Sequence, residues 1–158
     1  MIEAAARTAL QRLMGERVRF HALLGRFTSL GVGGPADALA IPETLDEAEA
    51  LVAFCAEHDV PLYVLGGGFN TLVLDGGIEG VVLRTQRLRE IEVSGDGLLY
   101  AESGVSHSQV TRVCQERELT GLEFSAGIPG SVGGWVTMNA GIPDHEIGPL
   151  VAEIRVAT

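Results

Sequence analysis

Residues 127–141 read GIPGSVGGWVTMNAG, fifteen positions with five glycines, one proline and no charge. A stretch this poor in functional side chains must do its chemistry through main-chain N–H and C=O groups. Such groups hold phosphates well. After the Pro129-Gly130 turn, Ser131 is placed to cap a short helix over 132–138, whose first N–H groups would face an anion. Asn139-Ala140-Gly141 then stops it. Tight turns alone would account for the same glycines, so the spacing leaves both readings open.

A second glycine loop shifts the balance. Residues 61–65 (PLYVL) read as a buried strand of the kind used in parallel sheets. Gly66-Gly67-Gly68-Phe69-Asn70-Thr71 follows directly. A glycine triplet at the C-terminal end of a strand lets the backbone approach an anion with no Cβ in the way. It is not a dinucleotide fingerprint of the GxGxxG type, because no helix follows and Asp75-Gly76-Gly77 turns into another strand over 80–84.

The rest of the chain frames these loops. Residues 3–14 predict a peripheral helix with Ala4, Leu10, Leu13 and Met14 near one side. Residues 20–27 are ambiguous. Thr28 to Ala36 forms a turn-rich loop whose glycines suit either a bend or a ligand's approach. A short strand over 38–41 precedes Pro42. Thr44 and Glu47 then mark a capping box ahead of Leu45, Ala48, Leu51, Val52 and Cys55 at helical core spacing, closed by His58-Asp59. Strands over 89–93 and 98–102 flank Ser94-Gly95-Asp96-Gly97 as a hairpin. Ser106 caps a helix from His107 to about Glu118, with Val110, Val113 and Cys114 inward. A last strand is expected over 151–156. Ending there is unusual for a natural terminus, so a fragment is expected. The pattern is α+β, in one or two lobes.

Composition excludes several functions. The chain has 158 residues and a formal charge of −10, and all 11 of its basic residues are arginine. That balance argues against nucleic acid, whose binding needs basic clusters. Without lysine there is no nucleotide-triphosphate P-loop, so the backbone must do most of any phosphate binding. No apolar run approaches the roughly 18–20 residues needed to span a bilayer. No membrane partner is expected, and the absence of a visible secretory signal makes the cytoplasm the expected location. Cys55 and Cys114 read as buried thiols, and His21, His58, His107 and His145 lack metal-ligand spacing.

With both loops placed, the chain resembles the UDP-N-acetylenolpyruvylglucosamine reductases, also called UDP-N-acetylmuramate dehydrogenases. The motifs are TSLGVGGPAD at 28–37, VLGGGFNTLV at 64–73, SGV at 103–105 and GLEFSAGIPGSVGGWVTMNAG at 121–141. They occur in family order and cover nearly the whole chain. The resemblance implies an FAD-binding domain of the vanillyl-alcohol-oxidase type: a first lobe with the N-terminal helix over 1–70 and a truncated second lobe over 71–158, without the C-terminal substrate-binding domain. It implies that Gly66, Gly67, Gly68, Phe69, Asn70 and Thr71 wrap the FAD pyrophosphate. Gly127, Ile128, Pro129, Gly130, Ser131, Gly133 and Gly134 would cover the pyrophosphate and ribityl side, with Asn139 and Gly141 in the same wall.

The implied reaction moves hydride from NADPH to the flavin and on to the enolpyruvyl group of a UDP-sugar, in peptidoglycan synthesis. The family assigns the protein's part to an Arg in a Tyr-Arg motif, a Ser proton donor and a Glu, none of which this sequence contains. Arg155 is not in such a context. Ser125, Glu123 and His107 read as a cap, a solvated carboxylate and an exposed first-turn histidine. The chain alone is therefore expected to be inactive. Two departures from the family pattern stand out: Phe69 replaces a common hydroxyl residue, and Ile142-Pro143-Asp144 follows Gly141. The competing readings are an oxidase of the same superfold and a flavin-binding module without catalysis. Such oxidases often attach flavin through His or Cys near these loops, and neither loop contains one, which favours the reductase.

Overall fold

The computed structural model describes residues 1–157 and forms two compact units, Met1–Arg87 (with Val156 and Ala157) and Leu88–Arg155. The first unit includes the strand that follows the first glycine loop, which belongs to its sheet.

In the first unit, helix α1 (Ala4–Met14) buries Ala6, Leu10 and Met14. Ala4 and Leu13, expected on that side, are exposed. The ambiguous stretch resolves into strand β1 (Val18–Leu23) and a 3-10 turn, Leu24–Phe27. Strand β2 (Pro35–Ala40) starts earlier than the sequence suggests. Helix α2 (Leu45–Glu57) has the predicted Thr44 cap, the Glu47 N–H donating to Thr44 Oγ1 at 3.2 Å, while Glu47 Oε2 accepts from the Glu43 N–H, one residue before the cap of the expected capping box, at 2.9 Å. Ala48, Leu51, Phe54 and Cys55 form its buried side.

Strands β3 (Leu62–Leu65) and β4 (Ile78–Arg84) complete a sheet of order β1-β2-β4-β3. β1 runs antiparallel to β2, while β2 and β3 both pair parallel with β4. α2 thus carries the chain from β2 to the far edge, and β4 fills the gap. The small side chains of β2 allow close cover, and Leu24, Ala36, Leu39, Leu65, Val73 and Val82 make the core. The expectation of a buried β3 fails. At the sheet edge, Tyr63 is 49% and Val64 68% exposed.

The second unit is built on a hairpin, β5 (Ile91–Val93) with β6 (Leu99–Ala101), and on helix α3 (His107–Glu116). Gln109 Oε1 accepts from the Ser106 N–H at 3.1 Å, fixing the start of α3. Val105, Val110 and Cys114 are buried with Ile91, Leu99 and Val132 packed on them, while Val113 is only half-buried. Helix α4 (Val132–Met138) and a small hairpin, β7 (Gly141–Ile142) with β8 (His145–Glu146), follow. The strand expected over 151–156 does not form; that stretch is irregular, with Ile154 and Val156 exposed. Apolar alternation makes a strand only when a ladder partner is present, and among the described residues β6 pairs with β5 alone.

Candidate functional site

Each glycine loop is set in place by its own unit. In the first, the buried Leu65 ends β3 and the chain enters Gly66–Thr71. The Ser29 N–H donates to the Gly68 carbonyl at 2.9 Å, and Ser29 Oγ reaches the Phe69 carbonyl at 3.5 Å. Gly68 has φ +71°, and a Cβ there would lie 2.3 Å from the Phe27 carbonyl oxygen. No other residue fits that contact. The Thr28–Ala36 loop therefore supports the back of this turn. Gly34 donates to the Leu74 carbonyl at 3.0 Å, and a Cβ on it would meet Asp75 O at 2.1 Å. Its glycines allow one loop to press on another. Phe69 and Asn70 remain exposed, Thr71 is half-buried, and no side chain in 66–71 is charged. Beside Thr71 opens a cleft of about 330 Å³ lined by Tyr63, Val64, Leu65, Leu72 and Leu74, among others.

In the second unit, Trp135 anchors the loop from within: its buried ring donates through Nε1 to the Pro129 carbonyl at 3.3 Å. The His107 N–H reaches the Gly130 carbonyl at 3.3 Å, and the Ile128 N–H reaches the Ser125 carbonyl at 2.9 Å. Ser131 is the N-cap residue in position and extended conformation, but its side chain makes no capping bond. The residue is only 6% exposed, and its Oγ has no hydrogen-bond partner. A buried hydroxyl left unpaired is costly, and a ligand oxygen would satisfy it.

The first turn of α4 differs from the expectation. The Val132 N–H donates to the Val105 carbonyl and the Gly133 N–H to the Ser103 carbonyl, each at 2.9 Å. Two N–H groups expected to face an anion are thus spent inside the unit. Gly133 is needed for this approach, since a Cβ there would lie 2.7 Å from the Ser103 Cβ. Gly127 has open space around it, and the nearest atoms to a Cβ on Gly130 are those of Trp135 at 3.6 Å. Asn139 adopts the left-handed conformation and ends the helix, with its Oδ1 accepting from the Gly148 N–H at 2.9 Å. Gly141 starts the small hairpin, pairing with Glu146.

The side chains weighed as substitutes for a catalytic group have structural partners. Ser125 Oγ is buried and donates to the Leu122 carbonyl at 2.6 Å, and Glu123 Oε2 accepts from the Gly121 N–H at 2.7 Å. His107 is half-buried rather than exposed, with its ring 5.4 Å from that of Trp135 and Nε2 at 3.1 Å from Thr111 Oγ1. Cys55 and Cys114 are buried free thiols, and burial pushes Cys55 up to about 11. Among the described residues no cluster of His, Cys, Asp or Glu is arranged to hold a metal, and no helix is long and apolar enough to cross a membrane. Sequence reasoning marked Ser29, Ser103 and Val105 only as parts of the motifs at 28–37 and 103–105 and missed their supporting role. They act through backbone contacts that leave little mark on residue type.

Comparison with known proteins adds independent findings. Residues 36–157 match the family described as FAD binding domain. The chain is 41% identical over 141 residues to the UDP-N-acetylenolpyruvoylglucosamine reductase of Clostridium novyi, covering 89% of this chain and 46% of that one. It is 44% identical over 138 residues to the same enzyme of Pediococcus pentosaceus, covering 87% and 46%. The crystal structure of UDP-N-acetylenolpyruvylglucosamine reductase from Thermus caldophilus superposes with a TM-score of 0.68 at 34% identity, over 82% of this chain and 46% of that one. Substrate-bound p-cresol methylhydroxylase shares the fold at 20% identity, with a TM-score of 0.62, over 87% of this chain and 29% of that one. The chain thus spans under half the length of the curated relatives named here.

Proposed function

The chain belongs to the FAD binding domain family, in the α+β form of the vanillyl-alcohol-oxidase type, and from this premise we propose that its two glycine loops hold the cofactor of a UDP-N-acetylenolpyruvylglucosamine reductase. Gly66 to Thr71 would wrap the pyrophosphate. Gly127, Ile128, Pro129, Gly130, Ser131, Gly133 and Gly134, with Asn139 and Gly141, would also contact the cofactor. The observation that carries this reading is Ser131 Oγ, an unpaired hydroxyl on the buried side of an uncharged loop. The donor set fits the group: main-chain N–H, the two hydroxyls of Thr71 and Ser131 and amide side chains suit a diphosphate without lysine.

The residues divide the work. The Ser29 hydrogen bonds hold the first loop, and Trp135 holds the second. Val132 and Gly133 hold α4 to residues 103–105, which leaves Ser131 as the polar group of that turn without a protein partner. Bound FAD would supply hydride transfer, with NADPH as co-substrate and an enolpyruvyl UDP-sugar as acceptor, in cytoplasmic peptidoglycan synthesis. The Tyr-Arg, Ser and Glu groups of the chemical step have no counterparts in these 158 residues, so this chain's part is cofactor binding. The formal charge of −10 weighs against a nucleic-acid partner.

Calorimetric titration with FAD tests the reading. Gly67→Val and Gly130→Val are expected to abolish binding, whereas Glu57→Gln, on the exposed end of α2, leaves it unchanged. Equal affinity in all three would remove the loops from the site.

A further inference from the structure

Resting on the reading that Gly66–Thr71 holds the cofactor's diphosphate, we infer that Phe69 is a stacking platform for one of the flat rings of the bound dinucleotide. The chain has five phenylalanines. Four have a partner for the ring: Phe20 lies under the Arg7 guanidinium at 4.2 Å, Phe27 under that of Arg84 at 4.6 Å, Phe54 against His58 at 4.4 Å and Phe124 against His145 at 6.1 Å. Among the described residues Phe69 has none, and it is 55% exposed.

The backbone that carries it is tied down. The Ser29 N–H and Oγ hold the carbonyls of Gly68 and Phe69, and Gly68 lies close enough to Phe27 that a Cβ on it would meet the Phe27 carbonyl oxygen at 2.3 Å. The other side chains of 66–71 are hydrogen, Asn and Thr, so Phe69 alone in this turn offers a large apolar face. A ring carried on a turn that holds a diphosphate would be within reach of the groups that leave it, the adenosine and the ribityl-flavin. Each ends in a planar heterocycle, and aromatic faces stack on such rings. A hydroxyl residue here would hydrogen-bond phosphate; Phe69 exchanges that contact for ring stacking.

The test uses the full chain and four titrants. FAD affinity is measured by equilibrium dialysis and by flavin fluorescence for the wild type, Phe69→Leu and Phe69→Trp. Leu keeps apolar bulk and removes the π face, whereas Trp keeps the face. Phe69→Leu should bind FAD roughly tenfold more weakly with less flavin quenching, and Phe69→Trp within about twofold of wild type. Separate titrations with ADP and FMN identify the ring, because only the ligand carrying it loses affinity in Phe69→Leu. Riboflavin tests whether the diphosphate is needed to bring it there. Equal FAD affinity in wild type and Phe69→Leu, with unchanged thermal midpoints, would overturn the inference while leaving the cofactor assignment standing. Failure of the folded wild type to bind FAD would overturn both.

Discussion

Ser131 shows how one atom separates folding from binding. Its Oγ is buried without a partner, so removing it should leave the empty protein as stable or about 1 kcal/mol more stable. FAD affinity of Ser131→Ala should fall about three- to tenfold, the worth of one hydrogen bond. Urea denaturation and a binding titration on the same preparation check the pair. A loss of stability without loss of affinity would make the residue structural. Gly68 is the opposite case: Gly68→Val meets the Phe27 carbonyl and a positive φ at once, and its urea midpoint should drop by the equivalent of roughly 2 kcal/mol or more. The sequence draws attention to both positions through the pairing of two uncharged glycine loops far apart in the chain, although either loop alone reads equally well as a tight turn. It does not reveal which glycine serves packing. That depends on Phe27 and Ser103, which meet these loops only in the folded chain.

At the scale of elements, α2 is the most legible part of the molecule. Thr44, Glu47 and the apolar spacing define its start and its buried side, and the hydrogen bonds agree. Thr44→Ala should cost about 1 kcal/mol in urea denaturation. Cys55, on the buried side of α2, adds a pH dependence. Its folded-state pKa is raised to about 11 from an ordinary thiol value near 9, so the folded chain holds the proton more tightly than the unfolded one. The stability this provides is complete below about pH 9 and lost as pH rises toward 11. Cys55→Ala should flatten the decline between those values, at the cost of a small cavity; an identical pH profile would contradict the assignment. Strands are less legible. Residues 61–65 and 151–156 are both apolar, yet one is an exposed edge and the other forms no strand. Apolarity records that a surface can be covered, whereas pairing depends on which neighbours are there to cover it.

At the scale of the whole molecule, a protein with a charge of −10 and no lysine is read as a binder of a diphosphate. The apparent conflict dissolves because neither loop, 66–71 or 127–141, contains a charge of either sign. Oriented N–H dipoles act at contact distance, while the surface acids are screened by about 10 Å of ordinary salt solution. FAD affinity should therefore change by less than about threefold between low and physiological salt, as a titration at both would show. The most direct measurement is the visible spectrum of the purified chain after incubation with FAD and desalting. A flavin band that stays with the protein is the predicted result. A chain shown to be folded by circular dichroism that emerges colourless would contradict the claim that these 158 residues hold the cofactor.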